Sequence, residues 1–162
     1  MSKTWNLGIY ESQLDRTAAP HPAQSPSAPR SFQLQRYLVP LGRALYAAVF
    51  LVSLPNLFGQ VGIRAAAQQG VPLPSVAVPL AGAIAASGAL SVLVGYRAKL
   101  GAWLLVLFLA PVTVMMHNFW AVTDPMMAQF QEAMFVKNIG LLGTALLLAC
   151  FGAGPVSVDA RR

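Results

Sequence analysis

Four long apolar stretches alternate with short polar segments along most of this chain. A helix of about 20 apolar residues matches the roughly 30 Å hydrocarbon core of a bilayer. We therefore expect an all-α fold, an integral membrane four-helix bundle. The first three predicted spans cover residues 39–58, 76–95 and 100–117. The fourth is part of a predicted helix over residues 126–151, whose membrane portion is expected to start near Phe135.

Turn and cap residues set the expected ends of these helices. Pro40 is expected in the first turn of the first span, and Pro55 is expected to bend or end it. A polar loop is expected to follow, with Asn56, Gln60 and Arg64. Asp124 and Pro125 predict the start of the fourth helix, with the aspartate as its cap.

Residues 1–36 have a different composition from the rest of the chain. They are polar, and four prolines fall between Ala18 and Pro29. Such a segment has little to bury, so we predict a disordered, flexible cytoplasmic tail over residues 1–36 and one membrane domain over residues 37–162. The first apolar stretch begins too late and runs too long for a signal peptide, so it is expected to remain as an anchor.

Composition and charge support a membrane location. Hydrophobic residues make up 56% of the chain and charged residues only 10%, against roughly 25% charged residues in soluble domains. The net charge of +6 comes without a nucleic-acid motif, so no nucleic-acid partner is expected. By the positive-inside rule both termini are predicted to be cytoplasmic. The basic residues on that side are Arg30, Arg36, Arg43, Arg97, Lys99, Arg161 and Arg162.

Polar side chains of the membrane part gather toward the opposite, outer end. A titratable group near hydrocarbon is costly unless paired, which makes it a functional candidate. We identify His117, Trp120, Lys137 and Asn138 as the candidate site for a quinone or another polar ligand at this outer mouth. The alternatives are that Lys137 snorkels to the interface and that His117 caps a helix C-terminus.

Sulfur-containing residues suggest a secondary candidate site. Thioether and imidazole ligands together favour Cu(I), although methionine is also a common packing residue. The copper candidates are Met115, Met116, His117, Met126 and Met127; we assign no metal site from them. Cys150 is the only cysteine, so no internal disulfide or CxxC pair can form. Catalytic residues stay unassigned.

Several short motifs resemble those of a known family. They are Leu41-Gly42-Arg43, the Asn56 region, Gly70-Val71-Pro72-Leu73-Pro74, Pro79-Leu80-Ala81-Gly82, Gly95-Tyr96-Arg97, His117-Asn118-Phe119-Trp120, Asp124-Pro125, Phe135-Val136-Lys137-Asn138 with Gly140 and Gly143, and Ser157-Val158-Asp159-Ala160. On these motifs, residues 39–162 resemble the DoxX family of small four-span bacterial membrane proteins. The resemblance implies an inner-membrane bundle linked to oxidoreductase systems. One departure is Ala85, which stands where members of that family often have a glutamate.

These observations lead to one main hypothesis and two alternatives. The main hypothesis is the membrane subunit of a quinone-linked redox complex, with quinone as its possible cofactor and electrons supplied by a partner redox subunit. The first alternative is a non-catalytic scaffold or assembly factor, or a homo-oligomer. In it, the small residues Ala83, Ser87, Ser91 and Gly95 would pack against a partner's helices. The second alternative is a copper-handling protein. Whether the chain is an enzyme stays open.

Overall fold

The computed structural model describes residues 30–154 and 156–161, and it is all-helical over these residues. The α-helices are α1 (Arg30–Phe58), α2 (Gln60–Gln68), α3 (Pro74–Val94), α4 (Ala98–Met116) and α5 (Pro125–Phe151). Short 3-10 turns follow α4 and end the described chain, at Phe119–Ala121 and Asp159–Arg161.

Four helical segments are long and apolar enough to cross a bilayer. They are Arg36–Phe58, Pro74–Val94, Ala98–Ala121 and Pro125–Phe151. The predicted all-α, four-span membrane fold is thereby confirmed. Most of the predicted tail, residues 1–29, lies outside the described residues, and α1 begins at Arg30, within the range assigned to the tail.

Two details of the first half differ from the sequence prediction. Pro40 lies well inside α1 instead of in its first turn, because the helix begins ten residues earlier. The polar loop predicted after the first span is largely helical, since Asn56 belongs to α1 and the next helix, α2, begins at Gln60. Gly59 is extended (φ −95°, ψ 160°) and separates the two helices. The short α2 buries Ala66 and exposes Gln60, Arg64 and Gln68. These polar residues are four positions apart, so they lie on one face of the helix.

Two glycines bring the backbones of α3 and α4 close together. A Cβ atom at position 101 would lie 2.5 Å from Ser91 Oγ and 3.0 Å from the carbonyl oxygen of Gly88. A Cβ atom at position 88 would lie 2.8 Å from the carbonyl oxygen of Gly101. Glycine at both positions lets the two helices gain backbone and side-chain contacts that larger residues would prevent.

Aromatic residues join α1 to the rest of the core. Tyr46 and Phe50 pack edge to face with ring centroids 5.2 Å apart, and Phe50 packs in the same way on Phe108 of α4 at 6.1 Å. The Tyr46 hydroxyl donates a hydrogen bond of 3.0 Å to the carbonyl oxygen of Leu141 in α5. This bond satisfies the buried phenol and fixes α1 against α5.

The segment that follows α5, residues 152–154 and 156–161, folds back onto the other helices, and we call it the C-terminal clasp. Arg43 of α1 is only 5% exposed. Its guanidinium group donates hydrogen bonds from Nη1 to the Ala153 carbonyl oxygen at 2.6 Å and from Nη2 to the Val156 carbonyl oxygen at 2.9 Å. Arg43 is therefore a buried structural residue. From the sequence it is only one of the basic residues that predict membrane orientation, and this structural role is not predicted.

The clasp also caps α4. The carboxylate of Asp159 accepts hydrogen bonds from the backbone N–H groups of Arg97 at 2.7 Å and Ala98 at 2.9 Å. A negative charge at this position stabilises the positive end of the helix dipole. Gly95, which ends α3 with φ +73°, allows the approach, because a Cβ there would lie 2.7 Å from Arg43 Nη1 and 2.6 Å from Ser157 Cβ.

We predict that Gly101→Ala lowers the free energy of unfolding by about 1–3 kcal/mol, because the added methyl group overpacks the α3–α4 contact. Gly140→Ala is the matched control, since a Cβ there has nothing within 4 Å and the residue also lies inside a helix. Denaturant unfolding in detergent micelles, followed by circular dichroism, measures both. Equal unfolding midpoints for the two variants would contradict the close approach.

We predict that Arg43→Met lowers the free energy of unfolding by about 3 kcal/mol, because two clasp carbonyl groups lose a charged donor. The control is Arg36→Met on the same helix, where the side chain is exposed and the change is expected to stay within about 0.5 kcal/mol. The same unfolding assay applies. If Arg43→Met is as stable as Arg36→Met, the clasp does not hold the bundle together.

Candidate functional site

A cavity of about 620 Å³ lies among the helices, in the half of the bundle that contains α2. All five α-helices contribute to its wall, and most of the lining side chains are apolar, including Phe50, Leu109 and Leu141. The polar side chains that line it are Ser53, Asn56, His117, Lys137 and Asn138. A largely apolar cavity of this size with a few polar groups is typical of small-molecule sites.

Short side chains leave this space open. Ala65 and Ala66 of α2 and Ala77 and Ala81 of α3 face the cavity without filling it. Gly62 makes the arrangement feasible, because a Cβ there would collide with the carbonyl oxygen of Asn56. The close contact between α2 and the last turn of α1 thus places the alanine face of α2 along one side of the cavity.

Asn138 is the most informative polar residue of the site. It is only 6% exposed and lines the cavity from α5. Within the described residues, its side-chain amide makes no hydrogen bond, and neither of its polar atoms is among the fully buried side-chain atoms that lack a partner, which are Arg43 Nε and Asn118 Oδ1. Its NH₂ group and its carbonyl oxygen are therefore free to bind a polar group of a ligand.

Lys137 lies next to Asn138, deep within α5. It is the thirteenth of the 27 residues of this helix, about 18 Å from the helix start at 1.5 Å per residue. The sequence predicts Lys137 near the outer mouth, at the start of the membrane portion of this helix, and α5 runs without a break from Pro125 to Phe151 with Lys137 near its centre. Its Nζ atom is 3.4 Å from the sulfur of Met134.

Asp124 and Glu132, the acidic residues nearest to Lys137 in the sequence, form no ion pair with it in the described structure. Asp124 caps α5 by accepting a 2.7 Å hydrogen bond from the N–H of Met127, and Glu132 is exposed. Over the residues that the structure describes, no carboxylate lies within 4.0 Å of the Lys137 ammonium group. An unpaired cation at membrane depth is costly and marks a functional position by default.

His117 follows the last residue of α4 and also lines the cavity. Its Nδ1 atom is 2.8 Å from the side-chain oxygen of Gln131. An amide oxygen accepts, so Nδ1 is the donor in this contact, and in the corresponding tautomer of the imidazole Nε2 can accept a hydrogen bond. The site thus combines an imidazole with the polar groups of Lys137 and Asn138.

Trp120 is separated from the other candidate residues. It is 58% exposed, lies in the 3-10 turn after α4 and does not line the cavity. Its ring packs edge to face on Phe119 at 5.1 Å and on Phe135 at 5.8 Å. The structure therefore brings His117, Lys137 and Asn138 together and leaves Trp120 in an aromatic cluster outside.

Two polar residues of α1 complete the lining and were not among the candidates. Ser53 and Asn56 are three positions apart, so they share one face of the helix. Ser53 Oγ donates to the carbonyl oxygen of Val49 at 2.8 Å. The spacing of two polar residues in an otherwise apolar span is the signal that could have found them.

The sulfur-containing candidates do not converge on one point. Met115 and Met116 line the cavity with His117, whereas Met126 and Met127 are 82% and 52% exposed in the first turn of α5. In the described part of the chain, no three His, Cys, Asp or Glu residues are grouped as a metal site would need.

The small-residue stripe predicted on α3 is divided between two surroundings. Ser91 packs against Gly101, and Gly95 packs against the clasp. Ala83 and Ser87 are exposed on the outside of the bundle. Half of the stripe therefore joins helices within this chain.

Comparisons with known proteins identify relatives of this chain. The sequence model of the SURF4 family matches residues 75–162. Over 126 residues the chain is 26% identical to the inner membrane protein YphA of Escherichia coli (strain K12), an alignment that covers 76% of this chain and 89% of that protein. No solved structure matches the chain.

The resemblance to the DoxX family is therefore wrong, since the family model that matches is that of SURF4. The motifs behind it have structural roles that many short-looped helical bundles require. Asp124 caps α5, Gly95 ends α3, and Asp159 caps α4. Caps and turns of this kind recur wherever helices need them, so they do not identify a family.

Proposed function

The chain belongs to the SURF4 family of membrane proteins, and we propose that it binds a lipophilic molecule with a hydrogen-bonding head group in the cavity. The supporting observation is Asn138, a largely buried residue of the cavity wall whose side-chain amide makes no hydrogen bond among the described residues. A head group that binds this amide would gain about 0.5–1.5 kcal/mol from one hydrogen bond.

A membrane quinone is the ligand class that fits these groups best. Its carbonyl oxygens accept hydrogen bonds, which the Lys137 ammonium group and the Asn138 NH₂ group can donate. Its reduced form instead carries hydroxyl groups, which the Asn138 carbonyl oxygen and His117 Nε2 can accept. The apolar walls, including Phe50 and Leu109, suit the ring and its hydrocarbon tail.

The role we propose is that of a quinone-holding membrane subunit. The chain has a single cysteine and carries no redox cofactor motif, so electrons would come from a partner redox subunit. The name of the Escherichia coli relative supports a bacterial inner-membrane location. An even number of candidate spans supports a topology with both chain ends on one side, and the distribution of basic residues supports the cytoplasmic side.

We predict that Asn138→Leu weakens binding of a short-tailed 1,4-benzoquinone to the purified protein by about 5–30-fold, the equivalent of one lost hydrogen bond of roughly 1–2 kcal/mol. Lys137→Met is expected to act in the same direction. Equilibrium dialysis in detergent, with the full chain, measures the dissociation constant.

Two variants and one competitor serve as controls for this experiment. Glu132→Gln on α5 and Trp120→Phe change residues outside the cavity wall and are expected to leave the dissociation constant unchanged. A hydrocarbon with the same isoprenoid tail and no head group is expected to compete poorly. Equal competition by this hydrocarbon, or equal weakening by Glu132→Gln, would show that the polar groups do not recognise a head group.

A further inference from the structure

A second cavity lies at the opposite end of the bundle, where α4 begins, α5 ends and the clasp folds back. It also has a volume of about 620 Å³, and we call it the clasp groove. From this groove we propose a second site, which binds the phosphate of an anionic phospholipid. The residues that line the clasp groove are all different from those that line the first cavity, which Asn138 and Lys137 line.

Two cationic side chains supply the charge of the clasp groove. Arg97 and Lys99 both line it and are exposed. Over the part of the chain that the structure describes, neither has a carboxylate within ion-pair distance. The carboxylate in the groove wall, Asp159, accepts the backbone N–H groups of Arg97 and Ala98. The side chains of Arg97 and Lys99 therefore present a net positive surface to the groove.

The backbone holds these side chains at the groove. Arg97 has a left-handed conformation (φ +47°) at the start of α4, which turns the chain sharply between α3 and α4. The methylene groups of Lys99 pass over Gly152, where a Cβ would lie 3.3 Å from Lys99 Cε. With φ +78° and no side chain, Gly152 leaves room for the lysine to lie across the wall.

The apolar rim of the groove points to a lipid as the source of the phosphate. Leu100 and Phe151 line the same groove and are 58% and 80% exposed. They end or begin membrane-spanning helices, so their exposed faces meet acyl chains. A cationic wall beside an apolar rim complements a glycerophosphate head group joined to acyl chains. A free phosphate ion would contact the cationic wall and leave the apolar rim without a partner.

Trp103 provides a local reporter for the test. It lies three residues after Leu100 on α4 and is 53% exposed. In the background Trp5→Phe with Trp120→Phe, it is the remaining tryptophan, since the sequence has three. Lipids brominated on their acyl chains quench its fluorescence when they bind nearby. We expect brominated phosphatidylglycerol to quench at a lower mole fraction than brominated phosphatidylcholine with the same chains.

Variants of the basic residues test the site directly. Lys99→Gln is expected to weaken the phosphatidylglycerol preference about fivefold, which corresponds to one basic side chain near an anionic surface. Arg97→Asn, chosen because asparagine tolerates the left-handed conformation, is expected to do the same. Lys99→Arg keeps the charge and should keep the preference. Arg64→Gln removes an exposed cation at the α2 end and should also keep it.

Three results would overturn the proposal. The first is equal quenching of Trp103 by the two lipids in the tryptophan background. The second is a loss of the phosphatidylglycerol preference in Arg64→Gln as large as that in Lys99→Gln. The preference would then come from the overall positive charge of the protein and not from the clasp groove. The third is loss of the preference when inorganic phosphate is added at the lipid concentration, because the groove would then bind phosphate ions and not lipid. Circular dichroism of every variant verifies that the helices remain folded.

Discussion

The arrangement of this bundle depends on one buried guanidinium group. Arg43 donates to carbonyl oxygens that lie 110 and 113 residues further along the chain. Its Nε atom is buried without a partner within the described structure, so the charge is tolerated only while both carbonyl contacts hold. Charge at membrane depth is otherwise expensive. Through this one side chain, α1 and the clasp are held together, and Asp159 joins the clasp to the start of α4.

The two ends of the bundle are built on opposite packing principles. At the clasp end, Gly88 and Gly101 bring backbones into contact, and the Arg43 and Asp159 side chains bind backbone groups of other segments. At the α2 end, alanines leave a cavity open, the Asn138 amide makes no hydrogen bond in the described structure, and Lys137 Nζ contacts the sulfur of Met134. Rigid packing at one end supports unsatisfied polar groups at the other, as expected of a binding site on a stable scaffold.

Much of the fold could be predicted from sequence because its signals are local. The length of the apolar stretches, which contain few charges, predicts the four spans, and Asp124 and Gly152 cap α5 at its two ends. The remaining features depend on long-range packing. The short α2 is nine residues long, too short for a helical period to stand out from the polar residues around it. Burial of Arg43 requires a partner segment over 100 residues away. The separation of Trp120 from Lys137 depends on helix rotation, which neighbouring helices set.

The clasp has a consequence for how the protein is made. Ribosomes synthesise α1 long before residues 153–156 exist, so a nascent first span enters the membrane with the Arg43 charge uncompensated. Insertion of that span and closure of the bundle must therefore be separate events in time. Until translation reaches the clasp, the Arg43 guanidinium group has neither of the carbonyl partners that it binds in the complete bundle.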